Sequence, residues 1–132
     1  MKKIMYLNLF IVLLVMITGC RGNDMYDKED ITMTIKNGTL TNKSATIIIT
    51  DFSKQNNSYG LWFRIDKKEN NKWKELKAKE NWINTPAYYV DENNKLELEH
   101  NWQHIYGKLP NGEYRIIKEV NGKYISAEFT IS

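Results

Sequence analysis

Two histidines, His100 and His104, are the only imidazoles in the 132-residue chain, four apart in the string HNWQH. On a helix that spacing puts both rings on one face, where they can hold a metal. The preceding residues instead alternate: Leu96, Leu98 and His100 share one side of a strand, Glu97 and Glu99 the other. His104 then falls in the loop beyond, so the rings do not share a face and no third ligand is at hand. The expectation is two partly exposed polar residues near Trp102, with no metal. Glu97 and Glu99 share a strand face, but acid–base work needs a cleft that drives two carboxyl pKa values apart. Their alternation with leucines reads as a solvated outer face. Asp27, Glu29 and Asp30 lack the twelve-residue loop and central glycine of a calcium hand. No catalytic residue and no cofactor is expected.

The remaining nucleophile is Cys20, the single cysteine. It follows a leader of three zones: Lys2 and Lys3, an apolar run over residues 4–17 broken by Asn8, then the small pair Thr18-Gly19. Fourteen helical residues span roughly 21 Å, short of the ~30 Å needed to cross a bilayer. The layout is that of a secretory signal over residues 1–19. Ile17-Thr18-Gly19-Cys20 resembles a bacterial lipobox. That resemblance implies a diacylglyceryl thioether on Cys20 and cleavage between Gly19 and Cys20. Two acyl chains then anchor the protein on the extracellular side of the cell membrane, where one would hold only marginally. The polar stretch over residues 20–30 reads as a flexible tether.

Of 19 basic residues, removal of Lys2 and Lys3 leaves 17 against 16 acidic ones, a net charge of +1. Such a balance offers no basic face for nucleic acid. Few arginines amid abundant Lys, Asn and Ile point, by composition, to a low-GC Gram-positive source.

Residues 31–132 must position whatever remains, and they read as short strands. ITMTIK (31–36) alternates as a half-buried strand, and SATIIITDF (44–52) is β-branched and dense, a more fully buried central one. YGLWFRIDK (59–67) is the next, turning at Asn70-Asn71 into a return over 72–76. Lys74, Leu76, Lys77 and Ala78 favour a helix by propensity, but the apolar residues over 72–82 are too few for a stripe. Pro86 demotes residues 83–90 to an edge or broken strand. In the last third, Asn121-Gly122 joins two β runs, and a two-residue loop fixes their register. Val120 then faces Lys123, Ile116 faces Ala127 and Tyr114 faces Phe129 on the apolar side; Arg115 faces Glu128 on the other. Seven or so strands at this spacing indicate an antiparallel immunoglobulin-like β-sandwich. Within LPNGEYRI, Tyr114 is placed as a tyrosine corner, and Trp62 or Phe63 is expected to fill the core.

YGLWFRIDKKENNKWKEL, HNWQHIYGKLPNGEYRIIKEV and the final AEFTI resemble the bacterial Ig-like domains of secreted and lipid-anchored Gram-positive proteins. Tyr59-Gly60, Trp73 and Trp102 match that pattern, while Asn70-Asn71 stands where Asp-Gly is usual. The resemblance implies an Ig-like sandwich acting as spacer, adhesion unit or sensor, and no activity. One such core accommodates about two tryptophans, which leaves surplus aromatics among Trp62, Trp73, Trp82, Trp102, Tyr88, Tyr89 and Tyr106. Trp82, Tyr88 and Tyr89, in the least regular segment, form the candidate binding surface. The expected function is that of a membrane-anchored lipoprotein whose domain binds a protein or envelope partner without catalysis. A lipid-anchored immunity or inhibitor protein, directed against an antimicrobial peptide or envelope enzyme, is the alternative.

Overall fold

The computed structural model describes residues 30–80 and 86–132. Seven strands and one short helix follow in chain order: β1 (Ile31–Ile35), β2 (Ser44–Asp51), β3 (Arg64–Glu69), β4 (Lys72–Glu75), β5 (Lys95–Asn101), α1 (Gln103–Tyr106), β6 (Gly112–Val120) and β7 (Lys123–Ile131). They form two antiparallel sheets, β1-β2-β5 and β4-β3-β6-β7, the immunoglobulin-like sandwich the alternating pattern called for.

Each sheet turns one set of alternate residues inward, as the pleat requires. From the three-stranded sheet come Ile31, Met33, Ala45, Ile47, Ile49 and Leu98; from the other, Ile65, Tyr114, Ile116, Val120, Ile125 and Phe129. β2 is central in its sheet, yet Thr46, Ile48 and Thr50 are only half-buried. Dense β-branching there reflects strand propensity rather than burial on both faces.

Both two-residue hairpins adopt left-handed backbone at both turn positions: φ 52° and 63° at Asn70-Asn71, 52° and 78° at Asn121-Gly122. That is the type I′ geometry, whose twist matches the flanking strands. Register across β6 and β7 pairs Val120 with Lys123, Ile116 with Ala127, Tyr114 with Phe129 and Arg115 with Glu128, as turn length dictates.

Three expectations need correction. Residues 59–63 do not belong to β3, which begins at Arg64. The carbonyls of Gly60 and Trp62 accept hydrogen bonds from Lys118 Nζ at 2.7 and 2.8 Å, which turns them toward a buried side chain instead of a neighbouring strand. His100 is buried, not partly exposed, because it holds an inward position opposite Ala45. Of Trp62 and Phe63, it is Phe63 that fills the core, as one of the two was expected to; Trp62 is half-exposed, and the fully buried tryptophan is Trp102. Among the described residues of 83–90 there is no strand, only a bridge from Tyr88 to Tyr59. Residues 76–80 form no helix, consistent with the absence of an apolar stripe.

Candidate binding surfaces

The carboxylate of Asp51, the last residue of β2, organises one end of the sandwich. Asp51 is 4% exposed. Its Oδ1 accepts from Ser53 N at 2.8 Å; its Oδ2 accepts from the Tyr59 hydroxyl at 2.7 Å and from Asn57 Nδ2 at 3.0 Å. Burial alone pushes this carboxyl upward, but the bonds from Ser53, Tyr59 and Asn57 outweigh it and hold the pKa below the ordinary value. Tyr59 is itself fully buried and exchanges two 2.8 Å backbone bonds with Tyr88. Across the strand end, Asp51 N donates to Asn94 O at 2.9 Å. These ties border an open cavity of about 210 Å³ lined by Asp51, Lys54, Asn56, Asn57, Val90 and Asn94.

A second polar cluster lies between the sheets. Lys118, 1% exposed, points inward from β6 and reaches His100 Nε2 at 3.3 Å besides the two carbonyls. Burial lowers the Lys118 pKa to about 7. Burial, reinforced by the neighbouring lysine, lowers that of His100 to about 3. His100 also lies against Phe63, with ring centroids 4.5 Å apart.

A third cluster occupies the outer face of the four-stranded sheet. Asp66, 2% exposed, accepts from Arg64 Nε at 3.0 Å and Arg115 Nε at 2.8 Å. Arg64 stacks over Tyr124 at 5.4 Å and Arg115 over Trp73 at 4.8 Å. Both guanidiniums are thereby fixed by a carboxylate and an aromatic face together.

The family described as bacterial Ig-like domain matches residues 27–130. The chain belongs to that family. No curated protein and no solved structure matches it significantly. Domains of this kind are generally non-catalytic modules.

Of the residues singled out from sequence, Gly19, Cys20 and Trp82 lie outside the described residues. Tyr88 is half-buried and Tyr89 is 52% exposed; both adjoin the Asp51 end of the sandwich through the Tyr59 bridge. Tyr114 lies elsewhere: its hydroxyl donates to Pro110 O at 2.6 Å, and its ring stacks on Phe129, which stacks in turn on Trp102. His100 and His104 are separated by burial, since His104 is exposed on α1. Glu97 and Glu99 are both exposed, and Glu97 pairs with Lys36 at 2.8 Å. No group of three or more metal-binding side chains occurs among the described residues.

Asp51, Lys118 and Asp66 escaped the sequence reading. For the first two a signal existed in the strand period. Asp51 continues the inward series Ile47, Ile49, and Lys118 lies between Ile116 and Val120 on the apolar side of the hairpin. A charge in an inward position demands partners. Asp66 had no such signal, because outer-face positions are normally solvated.

Proposed function

We propose that the protein is a membrane-tethered binding module, held at the outer side of the cell membrane by lipid on Cys20 and engaging a protein or envelope partner through the Asp51 end of its domain. The observation that carries this reading is the exposed Tyr89, next in the chain to Val90, which lines a preformed cleft with polar side chains. Large exposed aromatics next to ordered polar groups are what recognition surfaces use. The charged clusters at Asp66 and Lys118 are engaged in holding strands and sheets together, which favours a non-enzymatic role.

Two measurements test the proposal. Cell fractionation should place the full chain with membranes and leave Cys20→Ala without lipid label; a labelled variant would overturn the anchor. Cross-linking of the full chain to envelope material should fall several-fold in Tyr89→Ala. Equal capture by both would overturn the assignment of this end as the binding surface.

A further inference from the structure

We propose that the cavity at the Asp51 end is a saccharide site that takes one ring of a neutral glycan. This rests on the reading of the domain as a binding module and narrows it to a ligand class.

Chemistry of the wall is the first argument. The carboxamides of Asn56 and Asn94 line the cavity and have no intramolecular hydrogen bond among the described residues. A carboxamide donates and accepts side by side, as a sugar's hydroxyls do. Lys54 contributes a further set of donors without a partner among the described residues. The Asp51 carboxylate already accepts three hydrogen bonds, from Ser53, Asn57 and Tyr59. Its charge offsets that of Lys54, so the wall is close to neutral and disfavours a polyanion.

Size and shape are the second. About 210 Å³ falls below the usual ~300–1,000 Å³ of sites for larger ligands and suits a single ring. Two exposed aromatics are chain neighbours of lining residues, though not themselves part of the wall: Phe52 follows Asp51, and Tyr89 precedes Val90. An aromatic ring offers a flat apolar face of the kind that packs against the C–H side of a pyranose.

Rigidity is the third. Lys54, Asn56 and Asn94 all hold left-handed backbone, with φ of 61°, 53° and 64°. Asparagine tolerates that region, whereas lysine rarely enters it. The loop is kept there by the buried Asp51 carboxylate and the Tyr59–Tyr88 bridge. Preorganisation of this kind leaves little ordering cost for the ligand to offset.

The test titrates the detergent-solubilised full chain with maltotriose and with triacetylchitotriose, using sialyllactose as the anionic comparison, and follows backbone amides by heteronuclear NMR. At least one neutral trisaccharide should bind with Kd of about 1 mM or tighter, with shifts concentrated at residues 51–57 and 89–95. Asn56→Gly combined with Asn94→Gly should weaken binding by roughly tenfold or more. Glycine accepts both left-handed positions, so the melting temperature of this variant should not fall. Tyr89→Ala should weaken binding about fivefold, on the order of one aromatic contact. Absence of binding at ten times that concentration, undiminished binding in the double-glycine variant, or tighter binding of sialyllactose than of either neutral sugar would each overturn the proposal. Envelope cross-linking that persists in the double-glycine variant also overturns it while leaving the binding-module reading intact. Loss of cross-linking from the unchanged chain strikes that module reading instead.

Discussion

Lys118 shows how one inward charge is accommodated. Its ammonium finds three acceptors in Gly60 O, Trp62 O and His100 Nε2, yet burial still lowers its pKa to about 7 from 10.5. The unfolded chain therefore binds more protons than the folded one between those values, so stability rises with pH there. The contribution is fully present above pH 10.5 and lost as the pH falls to 7, a change on the order of 5 kcal/mol. His100, lowered from 6.5 to about 3, acts with the same sign lower down: its contribution is complete above pH 6.5 and lost toward pH 3. Urea midpoints measured across pH 4 to 10 should climb in both windows, and Lys118→Met should flatten the upper limb while sparing the lower. An upper limb of unchanged slope would sink this account. Tyr114 offers a simpler test. Removing its hydroxyl in Tyr114→Phe deletes the 2.6 Å bond to Pro110 O and should cost about 1 kcal/mol in urea unfolding, with an unchanged m-value.

At the scale of the element, turn chemistry and strand period agree across β6 and β7, and this is why that hairpin was legible to the residue. Asn121-Gly122 demands a type I′ turn, and the turn fixes which side chains face inward. Gly122 holds φ +78° with open space where a Cβ would stand. Gly122→Ala should therefore destabilise by about 1 kcal/mol through backbone conformation alone. Conversely, Asn71→Gly, at φ 63°, should stabilise the β3–β4 hairpin by several tenths of a kcal/mol. Thermal unfolding of the two variants reads both signs, and a shift in the opposite direction for either would contradict the turn assignment. The start of β3 was not legible in the same way. Residues 59–63 are apolar and aromatic like a strand, but the carbonyls of Gly60 and Trp62 bond a lysine 58 and 56 positions away, an interaction no local pattern encodes.

For the whole molecule, the two sheets share one core and the Lys118–His100 contact joins them. Unfolding should accordingly be a single cooperative event: tryptophan fluorescence and far-UV circular dichroism should give coincident urea transitions, whereas separated midpoints would show sheets that melt independently. Folding should lie in the slow millisecond-to-second range of non-local β topologies. The amino-acid sequence alone determined the fold class, the strand periods of β1, β2, β5, β6 and β7, the register of the last hairpin and the leader-like N-terminal pattern. Each of these depends on neighbours within a few residues or on a period repeated along one segment. Only the tertiary structure decided that His100 is buried, that Lys118 spans the sheets, that Asp66 fixes two arginines, and that Asp51, Asn56 and Asn94 surround one cavity. Those arrangements join residues from separate strands and loops, and their energies come from desolvation and pairing that exist only once the sheets have closed.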